Sequence, residues 1–130
     1  MLDKAQAIKA RSGKSNAQFI RCSITDIPLE DETADCIISN CVINLVPHEE
    51  KHRVFKEIVR LLKPGGRLAG SDILAKKPLS ESIRNSMALY VGCVAGASQV
   101  HEYEAFLADA GFSGELACSL PCVMAVTDCK

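Results

Sequence analysis

The feature that most constrains this chain is a compact apolar run followed by an amphipathic stripe and an abrupt glycine stop. Residues 34–39, Ala-Asp-Cys-Ile-Ile-Ser, predict a strand buried on both faces. A helix is predicted to begin at Pro47, and its apolar positions recur at helical spacing, at Val54, Phe55, Ile58, Leu61 and Leu62. The run Lys63-Pro64-Gly65-Gly66 ends that helix, and residues 67–74 predict the next strand.

The rest of the chain continues this alternation of helices and strands. We predict a helix over residues 1–13 ending at Gly13, a short strand over 18–22 and an acidic loop over 26–33. A helix capped by Ser80, a helix over 99–110 closed by Gly111, and a β-type tail over 115–126 broken by Pro121 follow. The order α-β-β-α-β-α-α-β predicts an α/β fold with a parallel, Rossmann-like sheet, matching the later part of a doubly wound domain.

Composition narrows the class of protein. The 130 residues carry a net charge of −1, and no apolar run is long enough to span a bilayer, so neither nucleic acid nor a membrane is an expected partner. Seven cysteines, an odd number, without a secretory leader favour reduced thiols. We therefore expect one domain over residues 1–130 in a cytoplasmic protein.

A polar, thiol-bearing loop follows the predicted strand at residues 34–39. Ligands of open α/β sheets bind at the carboxyl ends of strands, which is where Asn40 and Cys41 are expected. An amide can hydrogen-bond a ligand there, and a thiol can act as a nucleophile or hold a soft ion. The alternative is that Asn40 caps the strand and Cys41 packs under the following helix.

Several motifs together resemble a known family. The Leu-Leu-Lys-Pro-Gly-Gly-Arg-Leu run at 61–68 looks like the turn after a helix in class I S-adenosylmethionine-dependent methyltransferases. The run at 39–45, Ser-Asn-Cys-Val-Ile-Asn-Leu, and the run at 89–97, Leu-Tyr-Val-Gly-Cys-Val-Ala-Gly-Ala, are similar to the arsenite methyltransferases. Residues 71–73 and 83–85 also match, and the resemblance extends to about Phe112.

The resemblance implies a function and a set of site residues. Arsenite methyltransferases transfer a methyl group from S-adenosylmethionine to trivalent arsenic with a thiol reductant, and Cys41 and Cys93 are implied to be the arsenic ligands. Trivalent arsenic is thiophilic, which agrees with two cysteine ligands. On the cofactor side, the resemblance points to five residues: Met1, Leu2, Ser23, Ile24 and Asn40. Ser23 stands where many relatives have an acid that binds the adenine amine.

The sequence also departs from the family pattern. It contains no G-x-G-x-x-G cofactor loop, and the ribose-binding acid and an upstream family cysteine are not matched. We therefore expect a methyltransferase sheet that is incomplete at the N-terminus, little affinity for S-adenosylmethionine, and self-association through an exposed sheet edge. The alternative function is a non-catalytic thiol module that binds trivalent arsenic or another soft ion.

The remaining histidines and cysteines include possible metal ligands, but the surrounding sequence does not favour a metal site at any of them. His48-Glu49-Glu50-Lys51-His52 matches the H-E-x-x-H zinc motif, but it lies at the edge of an apolar stripe, so a zinc hydrolase is a minor alternative. Cys22 and Cys36 are predicted to lie mid-strand in the core. Three C-terminal cysteines lack metal-site spacing and are predicted to be structural, namely Cys118, Cys122 and Cys129.

Overall fold

The computed structural model describes residues 1–113 with their side chains, and residues 116–119 and 122–129 as backbone. Short 3-10 turns at Ile43–Leu45 and His48–Glu50 lead into the second helix. In chain order, the helices are α1 Leu2–Ser12, α2 Lys51–Leu61, α3 Glu81–Arg84, α4 Met87–Val91 and α5 Val100–Ala110. The strands are β1 Ala34–Asn40, β2 Leu62–Asp72, β3 Phe112–Ser113, β4 Leu116–Ser119 and β5 Cys122–Cys129.

The predicted amphipathic helix is confirmed as the centre of the core. The apolar stripe of α2 is buried, and Phe55 is fully inaccessible to solvent. Its ring meets Tyr103 of α5 edge to face, with ring centroids 5.1 Å apart, and stacks on Phe106. Such aromatic pairs add to the free energy of burial, so α2 and α5 pack together through specific geometry.

The glycine stop after α2 is also confirmed, although the strand starts earlier than predicted. β2 begins at Leu62, and the pairing of β1 with β2 shifts between Ala34 and Cys36 to absorb the extra residues. Gly65 takes a positive φ of 78°, and a Cβ at Gly66 would lie 2.8 Å from the Lys63 carbonyl oxygen. Both glycines are therefore required by the turn itself.

The fold is α/β as predicted, but only part of its sheet is parallel. β1 and β2 are parallel, whereas β5 runs antiparallel to β2 and pairs with β3 and β4. The predicted β-type tail is thus confirmed as strands on either side of Pro121. No crossover helix separates β3, β4 and β5 in the described residues, and short connections favour antiparallel pairing.

The prediction that the first strand is buried on both faces is wrong. β1 pairs with β2 along one edge and lies at the end of the described sheet, and only Ala34, Ile37 and Ser39 are partly covered. The side chain of Ile38 is 80% exposed, and Cys36 is also exposed. A strand with one neighbour and one covered face leaves its alternate side chains in solvent. Self-association through this edge stays a prediction.

The strand predicted over residues 18–22 does not form. Among the described residues this segment has no ladder, and only an isolated bridge joins Ser23 to Asp26. Phe19 and Ile20 are exposed, and so is Cys22, which was predicted to be core. An apolar run becomes a strand only where a neighbour accepts its backbone hydrogen bonds, and no described strand lies beside this one.

The acidic loop is present as predicted, and α2 anchors it. Glu57 accepts a hydrogen bond from the backbone N–H of Ile27 at 2.7 Å and forms an ion pair with Arg60. The Arg60 guanidinium also donates hydrogen bonds to the loop, at the carbonyl oxygens of Ile27 and Leu29 and at the Asp31 carboxylate. The pKa of the Glu57 carboxyl group is lowered, chiefly by the hydrogen bond from Arg60. Glu57 and Arg60 of α2 thus hold the loop that leads into β1.

The predicted helix ends are confirmed at both glycines. Gly13 closes α1 with a φ of 63°, and Gly111 closes α5 with a φ of 101°. The start of α5 carries a full capping box between Gln99 and Glu102. In the described part of the chain, no helix has the length and apolar character that a membrane crossing needs.

Candidate active site

The carboxyl end of β1 carries the first predicted arsenic ligand. Asn40 is the exposed last residue of the strand, and the chain turns at Cys41, which has a φ of 54°. The backbone N–H of Cys41 donates to the Ser71 carbonyl oxygen of β2 at 2.8 Å. The turn is therefore held onto the neighbouring strand, and the half-buried thiol of Cys41 lies at the ligand-binding edge of the parallel pair.

The second predicted ligand, Cys93, is brought to the same place by the segment after α4. Its N–H donates to the Tyr90 carbonyl oxygen at 2.9 Å, and it too has a positive φ, 61°. The Cys93 thiol donates to the backbone oxygen of Cys41 at 2.9 Å. Two residues separated by 52 positions in sequence thus lie in contact, each in a backbone conformation that is uncommon for a residue with a side chain.

A cluster of buried polar residues lies beneath the two cysteines, and sequence reasoning did not identify it. Asn44 and Lys51 are each fully inaccessible to solvent. Lys51 Nζ donates to Ser98 Oγ at 2.9 Å, to Asn44 Oδ1 at 3.3 Å and to the Gly96 carbonyl oxygen. A signal was present, because Lys51 precedes Val54 on the apolar face of α2, where a charged residue is unexpected.

Burial shifts the titration of three groups in and around this cluster. It lowers the pKa of Lys51, and it raises the pKa values of Asp72 and Tyr103. The Tyr103 hydroxyl donates to Asp72 Oδ2 at 3.3 Å, which partly offsets the effect of burial on the pKa of that carboxyl group. Asp72 is the last residue of β2, so this pair joins the end of the sheet to α5.

Two of the predicted cofactor residues share a cleft. Met1 and Leu2 lie with Ile20 and Cys22 along an open cleft of about 670 Å³. Asp3 and Arg21 also line this cleft, so its walls are partly apolar and partly polar.

The other three predicted cofactor residues lie outside that cleft. Ser23 is next to Cys22 in sequence, but its hydroxyl is hydrogen-bonded to Thr25 Oγ1 at 2.7 Å. Ile24 is partly buried and packs against the hydrophobic core. Asn40 lies at the end of β1 beside Cys41. The structure thus places Asn40 with the thiols rather than with Met1 and Leu2.

The histidines of the zinc-like motif are held apart by their surroundings. His48 lies in a 3-10 turn, 3.8 Å from Glu102 and edge to face with Phe106, whereas His52 is exposed on α2. The residue between them that points inward is Lys51. Across residues 1–113, no group of three histidine, cysteine or carboxylate side chains could hold a metal ion. The side chains of Cys118, Cys122 and Cys129 are outside the described residues.

The fold and the contact between Cys93 and Cys41 together point to a class of protein. The parallel pair β1 and β2 with α2 between them, followed by an antiparallel last strand, is the arrangement found in S-adenosylmethionine-dependent methyltransferase domains. A family model described as a methyltransferase domain matches residues 1–111. The chain belongs to this methyltransferase family.

Individual relatives agree with that assignment. The chain is 41% identical over 112 residues to an arsenite methyltransferase of Halobacterium salinarum, an alignment that covers 86% of this chain and 28% of that protein. It superposes on CrArsM, an arsenic(III) S-adenosylmethionine methyltransferase from Chlamydomonas reinhardtii, with a TM-score of 0.68 and 30% identity, over 92% of this chain and 47% of CrArsM.

A more distant structure shows the same fold. A SAM-dependent methyltransferase from Aquifex aeolicus superposes with a TM-score of 0.68 at 21% identity, over 98% of this chain and 62% of that one. The predicted resemblance and the α/β fold are therefore confirmed, and S-adenosylmethionine is the cofactor of the family to which the chain belongs. The chain spans less than a third of the length of the Halobacterium relative.

Proposed function

We propose that this chain, as one partial methyltransferase domain over residues 1–130, takes part in the S-adenosylmethionine-dependent methylation of trivalent arsenic. The observation that carries the proposal is the contact between Cys41 and Cys93, with the Cys93 thiol 2.9 Å from the Cys41 backbone oxygen. In this proposal the two thiols are the arsenic ligands. The similarity to arsenite methyltransferases supports it.

The chemistry of the two side chains suits this substrate. Trivalent arsenic is a soft centre that prefers sulfur to oxygen ligands, and two adjacent thiolates chelate it. Both cysteines occupy the left-handed backbone region, which costs a residue with a side chain about 1–2 kcal/mol. Unfavourable backbone conformations of this kind cluster at functional sites, where the surrounding structure compensates for them.

The chain's residues have to bind and orient the arsenic rather than move protons. S-adenosylmethionine, when bound, supplies an electrophilic methyl group. The arsenic lone pair forms the new bond to carbon as the carbon–sulfur bond breaks, so no side chain is needed as a general base. Cys41 and Cys93 hold the arsenic in a half-buried position, which limits access of water. The thiol reductant returns the oxidised arsenic to the trivalent state.

The cofactor would be held by two separate groups of residues. Met1 and Leu2 would contact the adenine in their cleft, with Ser23 and Ile24 next to it in sequence. Asn40 precedes Cys41, and its amide would contact the methionine portion near the thiols. A cytoplasmic location fits this function, because the thiols have to stay reduced.

Calorimetric titration with arsenite in a reducing buffer tests the proposed ligands. Cys41→Ser and Cys93→Ser are each expected to weaken arsenite binding by about tenfold or more, because either change removes the chelate. Cys36→Ser is the matched control, since Cys36 is an exposed thiol on β1. Unchanged affinity in either site variant would overturn the proposal.

A non-catalytic thiol module is the second candidate, because Ser23, Ile24 and Asn40 do not line the cleft formed by Met1 and Leu2. Titration with S-adenosylmethionine separates the two functions. A dissociation constant in the micromolar range, about −8 kcal/mol, supports the methyltransferase. Arsenite binding through both cysteines with no response to the cofactor would instead identify the module.

A further inference from the structure

The buried amine of Lys51 joins two segments that each carry a proposed arsenic ligand. One of its acceptors, Asn44 Oδ1, lies three residues after Cys41. The other two, the Gly96 carbonyl oxygen and Ser98 Oγ, follow Cys93 by three and five residues. All three hydrogen bonds of this lysine therefore connect α2 to the loops around the thiols.

Asn44 carries the connection on to Cys93 itself. Its Nδ2 donates to the Cys93 carbonyl oxygen at 3.3 Å and to the Ile73 carbonyl oxygen, just after β2, at 2.7 Å. The side chain of Asn44 thus contacts the end of the sheet, the second thiol loop and Lys51 at once. A shift of any of these partners would change the position of Cys93 relative to Cys41.

The two loops are also in direct backbone contact at this point. A Cβ at Gly96 would overlap the backbone oxygen of Asn44, so only glycine permits the approach. Tyr90 of α4 donates its hydroxyl to the Leu45 carbonyl oxygen on the other side of the same contact. The polar contacts and the close packing therefore act on the same pair of segments.

We propose that Lys51 and Asn44 are positioning residues that hold Cys93 beside Cys41 at the separation needed to bind arsenic through both thiols. This inference rests on the proposed function, and it adds residues that do not touch the arsenic. A lysine without solvent contact is costly to bury, and an apolar side chain of similar length would fill the same space. The retained amine is explained by the geometry that its three directed hydrogen bonds impose.

The test compares a reaction that needs both thiols with a reaction that needs one. Phenylarsine oxide condenses with two thiols and releases one water, whereas iodoacetamide alkylates a single thiol. Lys51→Met retains the aliphatic stem and removes the donors, and Asn44→Asp retains the shape and removes the donor to Cys93. Lys56→Met is the matched control, because Lys56 is an exposed lysine on the same helix.

We expect Lys51→Met and Asn44→Asp each to weaken phenylarsine oxide binding by about tenfold, the effect of losing a buried hydrogen bond to a charged or directed partner. The alkylation rates of Cys41 and Cys93 should stay within about twofold, and Lys56→Met should change neither measurement. A purely structural role would instead alter both reactions together. Unchanged phenylarsine oxide affinity in a folded variant would overturn the inference.

Two further variants keep the result decisive. If Lys51→Met loses cooperative unfolding, Ser98→Ala removes one acceptor, and unchanged phenylarsine oxide binding in Ser98→Ala would overturn the inference. Cys41→Ser and Cys93→Ser report on the proposed function separately. If these serine variants bind phenylarsine oxide as tightly as the native chain, the proposed ligands are wrong. If the two serine variants lose phenylarsine oxide binding while Lys51→Met and Asn44→Asp keep it, the proposed ligands are supported and the positioning role is wrong.

Discussion

The backbone oxygen of Cys41 accepts a hydrogen bond from the thiol of Cys93 at 2.9 Å. Both residues have a left-handed backbone conformation, with φ values of 54° and 61°. The proposed arsenic ligands therefore adopt a conformation that glycine would take at lower cost. Under the proposed function, this conformation is kept at the expense of stability, because a glycine there could not bind arsenic.

The first prediction follows from this conformation. Cys41→Gly should be more stable to unfolding than Cys41→Ala by about 1 kcal/mol, because alanine keeps the unfavourable Cβ. The same pair of changes at Cys36, on β1, should show the opposite order, since glycine is less favourable than alanine in a strand. Urea unfolding of the four variants measures both differences. The same order at both positions would contradict the backbone explanation.

The second prediction concerns the close approach at Gly96. Gly96→Ala should lower the free energy of unfolding by about 1–3 kcal/mol, because its Cβ overlaps the backbone oxygen of Asn44. Gly92→Ala is the control four residues earlier, where the nearest atom is the Ala88 carbonyl oxygen at an ordinary 3.5 Å. Thermal unfolding compares the stabilities of the two variants. Equal destabilisation by Gly96→Ala and Gly92→Ala would show that the close approach of Gly96 to Asn44 is not the cause.

The third prediction is a pH dependence set by Glu57. Arg60 lowers the folded-state pKa of this carboxyl group from its ordinary value of 4.5, so its ionised form stabilises the folded chain. That contribution is complete above the unfolded-state pKa and is lost as the pH falls through the lower folded-state value. Melting temperatures of the native chain and Glu57→Gln should therefore differ at pH 7 and converge as the pH falls below 4.5 and through the lower folded-state pKa.

The control for that pH dependence is Glu104→Gln, at an exposed position on α5. Its melting temperature should follow the native chain throughout the titration. A Glu57→Gln profile that stays parallel to the native profile down to acidic pH would show that the ion pair with Arg60 does not couple to folding.

The fourth prediction concerns the buried pair Tyr103 and Asp72. Tyr103→Phe removes the hydroxyl that donates to Asp72 Oδ2 and should destabilise the chain by about 1–3 kcal/mol, because the carboxyl group keeps its burial and loses its donor. Tyr90→Phe removes a hydroxyl from a partly exposed side chain, so the decrease in the free energy of unfolding should be smaller. Chemical denaturation of both variants measures the two decreases. A smaller decrease for Tyr103→Phe than for Tyr90→Phe would contradict the prediction.

Local patterns predicted the elements whose signals lie within a few residues. The apolar stripe of α2, the glycines that close α1 and α5 and the β-type tail were all predicted, because periodicity and backbone freedom are properties of short segments. Cys41 and Cys93 were proposed as arsenic ligands from the resemblance of their surrounding motifs rather than from spacing, and that role stays a prediction. Their mutual contact joins residues 52 positions apart and could be seen only in the folded chain.

The failed predictions each depended on neighbours that a short segment does not contain. Residues 18–22 have strand-like composition, but no described strand accepts their hydrogen bonds. The strand at 34–40 was expected to be buried on both faces, yet it pairs along one edge only and exposes Cys36 and Ile38. Burial and pairing are set by what lies alongside a segment, which its own sequence does not specify.

The sequence by itself determined the family and the helical and glycine-bounded elements, and it singled out Cys41 and Cys93 as the proposed arsenic ligands, because these depend on residue type and local order. The tertiary structure alone decided that Lys51 is buried, that Asn44 contacts both loops and that Gly96 permits their approach. These are relations between residues far apart in sequence. They arise only when packing removes water and each buried donor has to find an acceptor within the fold.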